Sequence, residues 1–156
     1  MEVGFGSASQ YKKMRDFFNE NSISYTGIDY TAHFVEKAKL KYPEVNWEQG
    51  DVRNLPFNDD SFDYVFIYHV LEHQKGYEDV QKAIQELGRI AKRYIMIIWF
   101  KKPTFAHETR GGLQKDGFYY YKYSVADVWK AIRTTDFVVK KIPCRNNRDV
   151  PTGSKL

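Results

Sequence analysis

The residues best suited to chemistry lie in three places: Glu2-Val3-Gly4-Phe5-Gly6, the separate acids Asp29 and Asp51, and His69-Val70-Leu71-Glu72-His73. Two glycines one residue apart, after an acidic and a β-branched residue, predict a strand that turns sharply into a helix. A backbone without a Cβ can approach a ligand closely there, and the following helix points its N–H groups and positive dipole end at the same spot. Such a turn suits a nucleotide-like ligand. Asp29 lies 25 positions beyond Gly4, where a carboxylate at a strand end can accept both hydroxyls of a ribose. Asp51 closes the next predicted strand. A carboxylate there suits the exocyclic amine of adenine, and the backbone N–H of Val52 suits a ring nitrogen. A dinucleotide turn would carry a third glycine where Ser9 stands, so a single nucleoside with a short zwitterionic tail fits better.

The segment from His69 to His73 matches H-x-x-E-H, a zinc-peptidase pattern. Two histidines four apart on a helix share a face, but a catalytic zinc needs a third protein ligand. Here the pattern begins directly at the end of an apolar run, so no metal is expected. His69 or His73 as a general base is the alternative that carries chemistry. Local hydrogen bonding by the two rings is the plain structural one.

These groups need elements to hold them in a row. A helix from Ser7 or Ser9 to about Asn19 would place Tyr11, Met14, Phe17 and Phe18 on one face, with either serine as its cap. Ile23 to Asp29 reads as a strand, and Ala32 to Lys41 as a helix that stops before Pro43. Val45 to Gln49 is a short strand, ended by Gly50-Asp51-Val52. Phe62 to Tyr68 and Arg93 to Phe100 read as buried strands, apolar without alternation. Glu78 to Ala91 is a helix between them. Lys101 to Lys122 shows no clear periodicity and reads as a functional loop. Val125 to Arg133 is a helix, Phe137 to Ile142 a last clear strand, and Asn146 to Leu156 a polar tail. Alternating strands and helices predict an α/β fold with a mostly parallel sheet, which puts Gly4, Asp29, Asp51 and His69 on one rim.

At 156 residues one domain is expected. Hydrophobic residues at 42% and charged residues at 28% exclude a disordered chain. The longest apolar runs are too short to span a bilayer, and no signal peptide is visible. One cysteine, Cys144, excludes an internal disulfide, which makes a cytoplasmic location the expectation. Charge is uneven: residues 1–75 hold 8 Lys/Arg against 12 Asp/Glu, and residues 76–156 hold 16 against 8. The basic half fits either an acidic partner, nucleic acid included, or scattered solvated charges.

Taken in order, Glu2-Val3-Gly4-Phe5-Gly6, Asp29, Gly50-Asp51-Val52, Leu55-Pro56-Phe57, Ser61-Phe62-Asp63-Tyr64-Val65 and His69-Val70-Leu71-Glu72-His73 resemble class I S-adenosylmethionine-dependent methyltransferases. They are most similar to the type 11 subgroup, which mostly modifies small molecules. The likeness runs from Met1 to about Phe100 and continues more weakly through Gly117 to Ile142. It implies a Rossmann-like sheet with helices on both faces, a cofactor-binding half over 1–100, an acceptor loop over 101–123 and a C-terminal helix and strand over 124–145. It also implies S-adenosylmethionine as cofactor, S-adenosylhomocysteine as product and a small-molecule acceptor. Gly4 and Gly6 would approach the methionine part, with Glu2 orienting that region. Asp29 would hold the ribose, Tyr30 would lie beside the adenine, and Asp51 and Val52 would read its edge. His69 would line the methyl-transfer side. Tyr68, His69, His107, Glu108 and Tyr119 to Tyr121 are candidates for the acceptor pocket, although Phe118 to Tyr121 with Tyr123 suits a core-facing edge equally well.

Against that family pattern, the first strand is a stub, Met1 to Val3, and Ser154-Lys155-Leu156 would be only the beginning of a last antiparallel strand. A non-catalytic cofactor-binding or partner-binding module therefore stands as one alternative, and a nucleotide-cofactor oxidoreductase as another.

Overall fold

A computed structural model describes residues 1–18, 23–99, 110–115, 117–143 and 149–155. The central strand is β1 (Glu2–Val3), only two residues long. It is flanked by β2 (Thr26–Asp29) and β3 (Asn46–Gln49) on one side and by β4 (Phe62–Tyr68) and β5 (Ala91–Ile98) on the other. These five strands pair in parallel, with Glu2 between Gly27 and Phe66 and Val3 between Ile28 and Ile67. A separate hairpin follows, β6 (Arg110–Leu113) with β7 (Tyr119–Lys122). The main sheet ends with β8 (Phe137–Pro143) and β9 (Asp149–Lys155), giving the order β3-β2-β1-β4-β5-β9-β8. Strand order reverses at β1, so the crevice above β1 and β4 is the switch point where open α/β sheets bind ligands.

Helices cover the two faces unequally. On one face, α3 (Tyr77–Ile90) and α4 (Val125–Ile132) bury Val80, Ala83, Ile84, Leu87, Val128 and Ala131 against Val3, Val65, Ile67, Ile95 and Ile97. On the other, α1 (Ser9–Phe17) and α2 (Ala32–Lys41) close over an aromatic cluster in which Tyr11, Tyr25, Tyr42 and Trp47 meet Phe5 and Phe66. Its polar atoms have partners. The Trp47 indole N–H donates to the Tyr42 carbonyl at 2.9 Å and the Tyr11 hydroxyl donates to Glu44 at 2.8 Å.

Several sequence expectations change. Neither Ser7 nor Ser9 caps α1. The cap position is Ala8, with φ of 55°, whose methyl group has no acceptor to offer, and its N–H closes a turn on the Phe5 carbonyl at 2.9 Å. Phe17 does not join the buried face but stands 82% exposed, since α1 ends beside it. β4 and β5 are not buried throughout. Tyr64 is 59% exposed and stacks on Tyr94 with centroids 5.1 Å apart, because α1 and α2 cover the sheet only as far as Phe66. The predicted loop over 101–122 contains the hairpin β6–β7. The last strand is not a mere beginning. It runs seven residues and pairs with both β5 and β8, which seats it between them. Asn19 to Ser22, Phe100, His107, Glu108 and Cys144 lie outside the described residues. Among the described residues no helix is long and apolar enough to cross a membrane.

Two tests follow from the packing. Gly4 has φ of +73°, and a Cβ there would lie 2.1 Å from Val70 Cγ2, whereas Gly6, with φ of +51°, would place a Cβ in open space. Gly4→Ala should therefore cost about 2–4 kcal/mol, left-handed strain plus overpacking, and Gly6→Ala about 1–2 kcal/mol from strain alone. Urea unfolding of both variants measures the difference. The second test concerns Glu2, which is 1% exposed and accepts a hydrogen bond from the Tyr25 hydroxyl. Burial lifts its carboxyl from 4.5 to about 7, opposed by Tyr25 and the Met1 amino group and reinforced by Asp29. A carboxyl that binds its proton more tightly when folded stabilises the fold fully below pH 4.5 and loses that contribution as pH rises toward 7. The Met1 amino group, pushed down to about 6 by burial, adds the opposite slope at higher pH. Between pH 4.5 and 6 the unfolding free energy should fall by about 1–2 kcal/mol in the parent protein, and this slope should flatten in Glu2→Gln.

Candidate functional site

Parallel pairing brings four strand ends to one rim: Gly4 after β1, Asp29 at the end of β2, Gly50-Asp51 after β3 and His69 after β4. Backbone bonds extend the ladder past the strands. Gly4 N–H donates to Ile28 at 2.7 Å, Gly50 N–H to Asp29 at 3.0 Å and His69 N–H to Ile98 at 2.9 Å. The rim is thus stitched at each step even though β1 is so short.

Asp29 is 8% exposed. Its Oδ2 accepts the Gly6 N–H at 2.8 Å and its Oδ1 the Thr31 N–H at 2.9 Å. One carboxylate therefore joins the end of β2, the glycine turn and the approach to α2. Each carboxylate oxygen has two lone pairs, so each keeps acceptor capacity for a hydroxyl. Tyr30, next along, is 73% exposed, and its carbonyl accepts from the Gln49 side chain at 3.2 Å. Its ring lies at the surface of the rim, not in the core.

Asp51 is held by Arg53. The Arg53 backbone N–H and Nε each lie 2.9 Å from Oδ1, and Nη2 lies 2.5 Å from Oδ2. The remaining arm, Nη1, donates to Asp79 in the first turn of α3 at 3.0 Å. The hydrogen bonds from Arg53 hold the Asp51 carboxyl below its ordinary range, outweighing its partial burial. Val52 turns inward and packs in the core with Leu55 and Leu71. Glu2 lies behind the turn rather than on the rim, with its carboxylate on the Tyr25 hydroxyl.

His69 and His73 do not share a helix face. His69 has φ of +57° and precedes a single 3-10 turn, Leu71–His73. Its ring lies against Tyr68, with centroids 3.9 Å apart. The His73 Nδ1 lies 2.9 Å from the Tyr119 carbonyl, which can only accept, so Nδ1 carries the proton there. In the neutral ring Nε2 then holds the lone pair. Among the described residues, no group of three or more His, Cys, Asp or Glu is placed to hold a metal. Tyr123 is core, its hydroxyl donating to Gln74 and Gly76, whereas Phe118 is exposed and Tyr119 to Tyr121 are half-buried.

Sequence reasoning missed Arg53, Thr31 and Tyr25. An arginine two residues beyond an acid at a strand end was the available signal for the first. Thr31 acts through its backbone, which no residue pattern reports. Tyr25 reads simply as an aromatic strand residue.

The rim fits an adenosyl-amino-acid cofactor. Gly6 leaves open space at its α-carbon, and two well-separated carboxylates stand on successive strand tips. Known proteins give the same answer. The family described as Methyltransferase domain matches residues 1–96. A 2-phytyl-1,4-naphtoquinone methyltransferase of Nostoc punctiforme is 35% identical over 86 residues, covering 50% of this chain and 36% of the relative. A demethylmenaquinone methyltransferase of Staphylococcus haemolyticus is 37% identical over 84 residues, 51% of this chain and 34% of the relative. The chain thus spans about a third of the length of these curated relatives. The solved structure of CalS10, an amino pentose methyltransferase of Micromonospora echinaspora with S-adenosylmethionine bound, superimposes with a TM-score of 0.76 at 10% identity, over 99% of this chain and 82% of that one. DesVI of Streptomyces venezuelae does so with a TM-score of 0.77 at 12% identity, over 99% and 82%. With the family matched from Met1 through the fifth strand, the chain belongs to the methyltransferase-domain family, whose cofactor is S-adenosylmethionine.

Proposed function

We propose that this chain transfers the methyl group of S-adenosylmethionine to a small-molecule acceptor. The observation that carries this is the bond from Gly6 N–H to Asp29, which joins the glycine turn to a carboxylate suited to a ribose, with Asp51 on the next strand tip. The quinone methyltransferases among its relatives support a small acceptor over a nucleic acid. A soluble cytoplasmic enzyme is the corresponding setting.

In this reading residues 1–100 hold the cofactor, residues 101–123 choose the acceptor, and residues 124–145 support the far side of the sheet. Gly4 and Gly6 let the backbone meet the methionine part, and Glu2 fixes the turn from behind through Tyr25. Asp29 takes the ribose hydroxyls, and Tyr30 flanks the adenine. Asp51 takes its exocyclic amine and the Val52 N–H a ring nitrogen. The bound cofactor supplies a methyl group on a sulfonium, already activated toward a nucleophile. The protein's work is therefore to align the acceptor and exclude water, which can supply several kcal/mol of barrier reduction. His69 lines the methyl side. His73, with its Nδ1 proton committed to Tyr119, presents Nε2 as the base for an acceptor that arrives protonated.

Calorimetry with S-adenosylhomocysteine tests the map. Asp29→Ala and Asp51→Ala should each weaken binding by about 1–3 kcal/mol, the cost of a lost buried hydrogen-bond partner. A nicotinamide dinucleotide should bind far more weakly than S-adenosylhomocysteine. Unchanged affinity in both variants would remove the assignment.

A further inference from the structure

Arg53 is a charged group of the rim that the transfer chemistry leaves without a task. Its guanidinium and backbone N–H contact Asp51 through four hydrogen bonds, at 2.9, 2.9, 3.1 and 2.5 Å, and its outer arm reaches Asp79 at 3.0 Å. The Arg53 and Asp51 side chains are 35% and 30% exposed, and the forked pair with its link to Asp79 helps to hold the loop on α3. As an orienting device it is well placed. An unpinned aspartate carboxylate turns about its last torsion, whereas a planar guanidinium bonded to both oxygens fixes the carboxylate plane. Asp79 in turn fixes the guanidinium from the first turn of α3, so the plane is referenced to a helix rather than to the loop alone.

Resting on the assignment of Asp51 to the adenine, we propose that Arg53 is a positioning and specificity residue, which locks the Asp51 carboxylate as a pure acceptor so that the site selects a 6-amino over a 6-oxo purine. An ionised, fixed carboxylate accepts from an amine and repels a carbonyl oxygen. A carboxylate free to turn, or to take up a proton and become a donor, tolerates both. Lysine would not substitute fully, because an ammonium is a point charge that cannot hold both oxygens in one plane while reaching Asp79.

The test compares S-adenosylhomocysteine with its deaminated 6-oxo analogue, S-inosylhomocysteine, by calorimetry on the full chain. Arg53→Met should weaken S-adenosylhomocysteine binding about tenfold while leaving the 6-oxo analogue nearly unchanged, so the preference shrinks by a similar factor. Arg53→Lys should recover part of it. Circular dichroism at the titration temperature checks that each variant is folded, and the ratio of the two affinities is unaffected by a modest drop in melting temperature. Asp79→Ala removes the outer anchor and keeps the Arg53 contacts to Asp51. It should shift the preference in the same direction by a smaller factor, and it carries the test should Arg53→Met fold poorly. Equal losses for both ligands, or an unchanged preference in these variants, would overturn the role of Arg53. Asp51→Asn separates the two levels. If it weakens S-adenosylhomocysteine while the Arg53 and Asp79 variants keep the parent preference, Asp51 still reads the base and only the clamp is wrong. If it binds like the parent, the base-reading assignment itself falls.

Discussion

A carboxylate taken out of water must find donors, and Asp29 finds them in two backbone N–H groups from two different segments, Gly6 and Thr31. That requirement organises the rim. The central strand has only two residues to hold its place in the sheet, so ladder bonds alone give the glycine turn little definition. The Gly6–Asp29 bond ties the turn to β2, and the close approach of Gly4 to Val70 ties it to the segment after β4. Gly4 and Gly6 take left-handed conformations that glycine permits, while Ala8 takes one at a cost, and such a strained residue persists where the surroundings over-determine it. Here the surroundings are a buried carboxylate, a packed valine and, from behind, the Glu2–Tyr25 pair within the aromatic core.

The next segment is governed by charge rather than by strain. The loop after β3 carries its own unsatisfied backbone groups, and α3 answers them with side chains. Arg89 donates to the carbonyls of Leu55 and Phe57 at 2.9 and 2.6 Å and to Asp59 at 2.9 Å, while Glu86 accepts the Leu55 N–H at 2.7 Å. Asp79 holds Arg53 from the same helix, about two turns before Glu86 and nearly three before Arg89. Two arginines, one on the loop and one on the helix, thus fasten residues 51–59 to a single rigid element. Because α3 also buries Leu87 and Ile84 against β4 and β5, the Asp51 end of the rim is referenced to the main core and not to a floating loop.

What was legible in the residues divides along the same physical line. Glycine spacing, strand-end acids and apolar runs are local signals, and they placed β1, α2, β4 and the row Gly4, Asp29, Asp51 and His69 in the right order. The misses come from tertiary packing and from short-range backbone geometry that residue types do not report. Tyr64 and Tyr94 look like core because apolar content was taken as burial, yet burial depends on which helices reach them. The α1 cap was assigned to a serine because serines cap helices, but the turn closes on its own backbone at Phe5. β6 and β7 escaped because a short hairpin of tyrosines and glycines has no period long enough to count. β9 escaped because its pairing with β5 and β8 is a tertiary fact; Pro151, Gly153 and Ser154 carry low strand propensity, and the gap between two existing strands is what orders them.

The hairpin depends on the segment that follows β4. β6 and β7 form their own two-stranded sheet, and a two-stranded ribbon is marginal in water unless it packs on something. Its attachments lie in the segment that follows His69: the Tyr119 carbonyl on His73 Nδ1, Lys75 over the Tyr119 ring at 5.4 Å, His73 edge-on to Tyr120 at 5.9 Å, and Tyr123 on the Gln74 and Gly76 carbonyls. The imidazole that orients the hairpin is thus oriented by it in return. A histidine whose Nδ1 proton sits on a backbone carbonyl has its tautomer and ring plane set by the fold. Sequence variation in the hairpin would therefore move two things at once, the tyrosines it carries and the histidine it holds in register.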